Sequence, residues 1–359
     1  MANVRCGTRG FSDAEGRESS WATAAVRCKN EGVTTTVESE KPPPSIRAKR
    51  RSLVRGLVKT IRPHQWVKNV FVFAPVFFAH NLFPKTSDGD PALNLKVTSQ
   101  ALIATFVFCL VAGAVYTIND LVDVEADRVH PVKRFRPIAN GDVPEGIARL
   151  FAGALVVFAL GVAFWRYDDW RFGGIAALYF VSNLAYSFKL KKIAYLDVGM
   201  IAFFFVLRVL AGGFATHTPV SMYMLACTLL IALFLGFGKR RHELESETAG
   251  KQRAALEAYG KRSLDVALAV TGLATAATYF AYTLDHDTQD FFHSHHLWLT
   301  APFTVFGIGR FLMLVSGRAG RGRKAESPTQ EMLSDVPFVL NLVLWVVVVF
   351  AIIYNLRPS

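Results

Sequence analysis

The sequence has few cysteines and few acidic residues for its length. Four cysteines occur in 359 residues, and their spacing is typical neither of a metal site nor of a disulfide framework. The 28 acidic residues are outnumbered by 40 Lys and Arg, which gives a net charge of +12. Because these basic residues lie between apolar segments, membrane topology explains the excess better than nucleic-acid binding does. The first apolar run begins only after residue 50, so we expect no N-terminal signal peptide.

Apolar residues make up 52% of the chain, and they are gathered in blocks long enough to cross a bilayer as helices. We therefore predict an all-α integral membrane protein with nine transmembrane helices. The predicted spans are residues 66–83, 98–120, 147–165, 172–188, 194–214, 220–237, 263–284, 297–316 and 336–355. Together, residues 66–355 form the predicted catalytic domain.

Two segments precede the spans. Residues 1–45 are polar and predict a disordered tail. Residues 46–65 are rich in Lys and Arg, with apolar residues at helical spacing among them. This pattern is typical of an interfacial helix on an anionic membrane surface, although a basic flank that fixes topology explains it equally well.

The charge of the loops predicts the orientation in the membrane. One set of alternate loops contains 18 Lys and Arg, and the opposite set contains four. Since basic loops remain in the cytoplasm, we expect a plasma-membrane protein with its N-terminus in the cytoplasm and its C-terminus outside.

A row of oxygen-bearing side chains lies at the end of the second span. Positions three or four apart share one face of a helix, and the row has this spacing. Its members are Asn119, Asp120, Asp123 and Asp127. Basic residues follow at once, namely His130, Lys133, Arg134 and Arg136. Hard oxygen ligands beside cations predict a cytoplasmic site for a magnesium-bound diphosphate.

Three further stretches place charges at or inside the spans. They are RPHQWVKN at 62–69, with Lys68 and Asn69; the segment from Tyr186 through Lys191 and Asp197 to Arg208; and KRRHE at 239–243, with Lys239 and Arg240. Asp197 and Arg208 are eleven residues apart, so they share a helix face. Charges inside spans usually mark a pathway or a site. Snorkelling of Lys68, a structural ion pair and basic topology markers remain as alternatives.

NDLVDVEADRVHP is an NDxxDxxxD motif, and the whole layout resembles the UbiA superfamily of intramembrane prenyltransferases over about residues 55–355. Most members have a second motif of DxxxD type, but here Ile201 stands four residues after Asp197. The pattern YxxxLKxxxxxD from Tyr186 to Asp197, together with HPVKRFRPIANG at 130–141 and LRVLAGG at 207–213, resembles the decaprenyl-phosphate phosphoribosyltransferase branch.

This resemblance implies a nine-helix bundle around a central cavity, and an enzyme that transfers phosphoribosyl from 5-phosphoribosyl 1-diphosphate to polyprenyl phosphate for cell-wall arabinan precursors. It implies Mg²⁺ as cofactor, held by Asn119, Asp120, Asp123 and Asp127. The implied catalytic residues are Asp120, Asp123, Asp127 and Asp197. The implied substrate-binding residues are Lys68, Asn69, Lys133, Arg134, Arg136, Tyr186, Lys191, Arg208, Lys239 and Arg240.

Two other functions remain open at this point. A prenyltransferase that joins a prenyl diphosphate to an aromatic acceptor would use the same acid row, although the missing DxxxD motif argues against it. A transporter or membrane scaffold would also contain spans with buried charges. It would commonly show two related halves with broken helices, and neither is evident in the sequence.

Overall fold

The computed structural model describes residues 53–79, 82–83, 93–245, 258–316, 332 and 334–354. All regular secondary structure in these ranges is helical. The α-helices are α1 (Leu53–Thr60), α2 (Ala74–Phe78), α3 (Leu95–Val122), α4 (Val124–Val129), α5 (Glu145–Trp165), α6 (Trp170–Phe188), α7 (Leu196–Thr216), α8 (Met222–Glu245), α9 (Lys261–Leu284), α10 (His286–Phe292), α11 (Ala301–Val315) and α12 (Val336–Tyr354). The predicted tail and the start of the basic segment lie outside the described residues.

Seven helical segments in these ranges are long and apolar enough to cross a membrane. They are α3, α5, α7, α8, α9, the segment Leu297–Val315 that ends with α11, and α12. An eighth predicted span corresponds to α6, which is 19 residues long but less apolar. The chain is therefore an all-helical membrane protein, and the count of nine spans is not confirmed within the described residues.

The single helix predicted for residues 66–83 is not observed. Pro63–Val72 form a 3₁₀ helix of 10 residues, and α2 follows after Phe73. Such a long 3₁₀ run is uncommon, and here α7 packs directly on its backbone. A Cβ on Gly212 would lie 1.9 Å from the carbonyl oxygen of Val72, so only glycine permits this approach.

The two largest hydrophobic cores of the described residues hold the bundle together. Phe108 of α3, Phe172 of α6 and Leu207 of α7 are buried in the first core. Phe234 of α8 and Phe311 of α11 are buried in the second, where their ring centroids are 4.9 Å apart. Burial of such side chains supplies the packing energy that positions the charged groups between the helices.

A cavity of about 550 Å³ lies between α2, α8, α9, α11 and α12. Its wall is largely apolar and includes Phe71, Cys227, Leu235, Tyr279 and Trp345. A cavity with this lining suits an apolar chain better than a polar substrate.

Candidate active site

The acid row crosses the junction between α3 and α4. Helix α3 ends at Val122, but the helical hydrogen-bond pattern continues through the junction. The Asp123 amide donates to the Asn119 carbonyl at 3.0 Å, and the Asp127 amide donates to the Asp123 carbonyl at 2.8 Å. The row therefore keeps the helical spacing that the sequence predicts.

Two carboxylates of the row are buried and converge on one cation. Nη1 of Arg136 lies 3.1 Å from Oδ1 of Asp120 and 2.6 Å from Oδ2 of Asp127. Nη2 of Arg62 lies 2.5 Å from the same oxygen of Asp120. The aspartate side chains are 2–3% exposed, whereas those of Arg62 and Arg136 are 26% and 27% exposed. The acids are thus fixed, and their partners can still move into solvent.

The remaining members of the row are available to a ligand. Asp123 and Asn119 are half-buried, and within the described ranges neither side chain has a hydrogen-bond or ion-pair partner. No three His, Cys, Asp or Glu side chains in those ranges form a ready metal site. The donor set nevertheless fits a hard cation, because a guanidinium nitrogen already lies between the Asp120 and Asp127 oxygens.

The basic residues after the row separate into two groups. Arg136 reaches the acids, as described above. Lys133 and Arg134 belong to a short 3₁₀ turn and are exposed, with the Arg134 guanidinium 4.9 Å from the Phe135 ring centroid. The structure thus places Arg136 at the acid row, and it shows no ion pair between Lys133 or Arg134 and the described acids.

A second group of cations surrounds Lys68. This side chain is accessible to solvent, and it lies within electrostatic range of Lys239, Arg208 and Arg62. Lys68 lies outside the seven spans. Desolvation by protein atoms close to its ammonium, together with these three neighbouring positive charges, lowers the pKa of Lys68 to about 8. Since Arg62 also pairs with Asp120, it links this cluster to the acid row.

Asn69 and Arg208 fix the 3₁₀ helix against the bundle. Both are buried, and Nε of Arg208 donates to Oδ1 of Asn69 at 2.8 Å. Nδ2 of Asn69 lies 3.1 Å from Sγ of Cys109 on α3. The other guanidinium nitrogens of Arg208 donate to the Tyr179 hydroxyl at 2.6 Å and the Phe204 carbonyl at 2.9 Å. All three of its nitrogens are therefore used inside the protein.

Asp197 and Arg208 share a helix but have different partners. The Tyr259 hydroxyl donates to Oδ1 of Asp197 at 2.5 Å, and Nε of Arg240 lies 3.5 Å from Oδ2. Nη1 of Arg240 lies 2.6 Å from Glu243, an ion-pair contact. Asp197 is fully buried, and Arg240 is 1% exposed. Burial and the bond to Asp197 raise the pKa of the Tyr259 phenol, so it remains a neutral donor.

The other predicted residues lie near these groups. Tyr186 packs edge-on against Phe204, with ring centroids 5.7 Å apart. Lys191 is half-buried in the 3₁₀ turn Leu190–Lys192. Lys239 lies 4.0 Å from Glu243, which follows it by four positions on the same face of α8.

Two residues of the site were not among the predicted ones. Arg62 has positive φ, at 51°, and its guanidinium lies 5.0 Å from the Tyr116 ring centroid. Its place at the start of the motif at 62–69 was a usable signal. Tyr259 precedes α9 in a segment without a recognisable motif, so nothing in the sequence indicated its contact with Asp197.

Several known proteins have sequences similar to this chain. Residues 72–241 match the UbiA prenyltransferase family. The decaprenyl-phosphate phosphoribosyltransferase of Mycolicibacterium smegmatis is 34% identical over 315 residues, covering 85% of this chain and 94% of that protein. The protein of the same name from Corynebacterium glutamicum is 31% identical over 329 residues, covering 90% of this chain and 93% of the relative.

The fold also matches solved structures. The structure of a UbiA homolog from Archaeoglobus fulgidus bound to DMAPP and Mg²⁺ gives a TM-score of 0.60 at 17% identity, covering 84% of this chain and 100% of that one. At this identity, the likeness to the solved structure shows the fold alone. The matches to the two sequence relatives cover nearly the whole length of those proteins. The chain therefore belongs to the UbiA prenyltransferase family, in its decaprenyl-phosphate phosphoribosyltransferase branch.

Proposed function

We propose that this protein transfers 5-phosphoribosyl from 5-phosphoribosyl 1-diphosphate to a polyprenyl phosphate and releases diphosphate. One observation carries the proposal: Arg62 connects the acid row to a cluster of cations that adjoins an apolar cavity. A polar donor and an amphiphilic acceptor would need these two environments side by side. The names of the relatives state the corresponding activity for those proteins.

The donor diphosphate binds at the acid row in this proposal. Asn119, Asp120, Asp123 and Asp127 would hold Mg²⁺, which supplies charge neutralisation to the leaving diphosphate. Arg62 and Arg136 would turn from the carboxylates to the phosphate oxygens, since both are partly exposed. Lys133 and Arg134 would add positive charge at the cytoplasmic entrance.

The acceptor lies with its chain in the apolar cavity and its phosphate toward the acid row. The bond between C1 of the ribose and the diphosphate oxygen breaks, and a bond from C1 to a lipid phosphate oxygen forms. The lipid phosphate is already an anion at neutral pH, so it needs positioning rather than a general base. Tyr186 and Lys191 would orient the ribose and its 5-phosphate from α6 and the following turn.

In this proposal Asp197 does not contact the substrates and acts through neighbouring residues. Its oxygens face Tyr259 and Arg240. We therefore assign it a positioning role, in which it holds Arg240 and the cytoplasmic end of α8 in place. Cell-wall arabinan precursor synthesis is the proposed process.

The proposed location is the plasma membrane, with the active site and N-terminus in the cytoplasm and the C-terminus outside. The asymmetry of Lys and Arg between alternate loops supports this orientation. The acid row and Lys239 then belong to the same, cytoplasmic, side of the membrane.

A donor test decides between the proposed reaction and aromatic prenylation. Purified protein would receive radiolabelled 5-phosphoribosyl 1-diphosphate, decaprenyl phosphate and Mg²⁺, with an Asp123→Ala variant as control. We expect label in the organic phase that depends on Mg²⁺ and disappears in the variant. Turnover only with a prenyl diphosphate and an aromatic acceptor would overturn the proposal, and no metal-dependent turnover with either pair would point to a transporter or scaffold.

A further inference from the structure

We infer that Lys68 and Lys239 together bind the phosphate headgroup of the acceptor lipid, at the end of the cavity that receives its chain. This inference rests on the proposed function and deepens it, because the four cations Lys68, Arg208, Lys239 and Arg240 now receive different roles. The argument comes from their positions relative to the cavity and from their partners.

Lys68 is one turn away from the cavity wall. It precedes Phe71, a lining residue, by three positions in the 3₁₀ helix. Because a 3₁₀ helix has three residues per turn, these two side chains lie on one face. The next residue, Asn69, points into the core and is held there by Arg208 and Cys109. This anchor turns Lys68 toward the side of the cavity.

Lys239 approaches the same place from α8. It follows Leu235, another lining residue, by four positions, and residues four apart share a face of an α-helix. Its charge acts on Lys68, so the two ammonium groups lie in the same region. Its ammonium lies 4.0 Å from Glu243, and 44% of its side chain is exposed to solvent. An amphiphile in the cavity would thus meet two ammonium groups where the apolar wall ends.

The other two cations, Arg208 and Arg240, are buried and already have partners inside the protein. Arg208 is buried, and its three nitrogens donate to Asn69, Tyr179 and a carbonyl. Arg240 is almost fully buried between Asp197 and Glu243. Both lack the exposure that a headgroup contact requires. Arg208 still contributes positive potential, since it has no carboxylate partner among the described residues.

Like charges held close together repel each other, and an anion between them relieves that repulsion. Among the described residues, Lys68 has no acidic partner, although three positive charges act on it. A phosphate monoester carries the charge and the oxygens that two ammonium groups need. The shared chemistry also fits the 5-phosphate of the donor, so the experiment must separate the lipid phosphate from the donor phosphate.

The first measurement is a set of KM values for Lys68→Gln and Lys239→Gln in the transfer assay. We expect each variant to raise the KM for polyprenyl phosphate about tenfold or more and to leave the KM for 5-phosphoribosyl 1-diphosphate within about twofold. Lys96→Gln is the matched control, because this exposed lysine lies at the far end of α3 from the acid row. It should change neither KM.

The second measurement reports lipid binding without transfer. Cys227 lines the cavity, so its alkylation by N-ethylmaleimide can be followed by mass spectrometry in a Cys6→Ser, Cys28→Ser background. Polyprenyl phosphate should protect Cys227, and each lysine variant should need about tenfold more lipid for the same protection. Uncharged polyprenol should protect the variants and the parent equally, because it has no phosphate.

The outcomes distinguish the inference from the function on which it rests. A raised KM for the donor, with the lipid KM unchanged, would assign the lysines to the 5-phosphate and overturn the inference. Normal transfer and normal protection in both variants would overturn it while leaving the proposed function intact. Protection that depends on the lysines, in a protein without phosphoribosyl transfer, would retain the headgroup site and remove the proposed reaction.

Discussion

Two of the buried acidic centres in the described residues pair carboxylates with arginines in different ways. Asp120 and Asp127 pair with Arg62 and Arg136, whose side chains are about one quarter exposed. Asp197 lies beside Arg240, which is 1% exposed and also contacts Glu243. In the first centre the cation can leave without moving the protein around it. In the second it cannot.

We interpret this difference in exposure as the difference between the proposed ligand site and a structural ion pair. A partly exposed arginine loses little solvation when it exchanges a carboxylate for a phosphate. A buried pair is hard to open, because either charge alone in a dry interior is costly. Of these two centres, the one with the partly exposed arginines is therefore the one that we propose as the substrate site.

The largest expected effect concerns Asp123, which has no side-chain partner among the described residues. Asp123→Ala should lower the transfer rate by roughly a thousandfold, about 4 kcal/mol, because a hard ligand of the proposed metal is lost. The melting temperature in detergent should stay within error of the parent, since no internal contact is removed. A folded variant with full activity would show that the row does not serve the chemistry.

The second prediction concerns the buried ion pair between Asp197 and Arg240. Arg240→Met should lower the free energy of unfolding by about 3 kcal/mol, because Asp197 is left buried without its counter-charge. Adding Asp197→Asn should recover most of this loss, since the amide oxygen still accepts from Tyr259. Thermal melting in detergent measures both variants. Arg149→Met, which breaks an exposed pair with Glu145, should cost less than about 1 kcal/mol.

The third prediction tests the contact that shapes the first segment. Gly212→Ala should destabilise the protein by about 2 kcal/mol, because its methyl group would overlap the Val72 carbonyl oxygen. Gly199→Ala on the same helix has open space around the new Cβ and should be neutral or slightly stabilising. Thermal melting compares the two directly. Equal melting temperatures would mean that α7 does not press on the 3₁₀ helix.

The smallest expected effect concerns two basic residues after the acid row, Arg136 and Arg134, which we expect to differ in their contribution to donor binding. Arg136→Gln should raise the KM for the donor about tenfold, because a charge-assisted bond to phosphate is lost. Arg134→Gln should change it less than about threefold, since this exposed side chain stacks on Phe135 and reaches none of the described acids. Steady-state kinetics with varied donor gives both values. A larger effect of Arg134 would place the diphosphate farther into the cytoplasm.

Much of the fold was accessible from sequence because apolar length and periodicity depend on local residues. The span predicted at 147–165 is observed as Glu145–Trp165, and the one at 336–355 as Val336–Tyr354. The spacing of the acid row likewise predicted that its members share one face, and Asp120 and Asp127 both contact Arg136.

The features that could not be predicted from the sequence depend on contacts between distant parts of the chain. The segment after Arg62 is broken, and the contact that shapes it comes from a glycine some 140 residues later. Asp197 and Arg208 share a helix, yet the partners of Asp197 come from α8 and the segment before α9. Periodicity gives the face of a helix, and it does not identify the neighbour that packs on that face.

The pairing of Asn69 with Arg208 has a consequence for the order of membrane insertion. During synthesis the 3₁₀ segment emerges long before α7, and until then the buried amide of Asn69 and the charge of Lys68 make it a poor span on its own. We expect it to enter the bilayer late, drawn in by α7. Chains truncated after α6 should therefore leave a cysteine placed at Val72 open to water-soluble thiol reagents, whereas chains that include α7, which packs against this buried residue, should protect it.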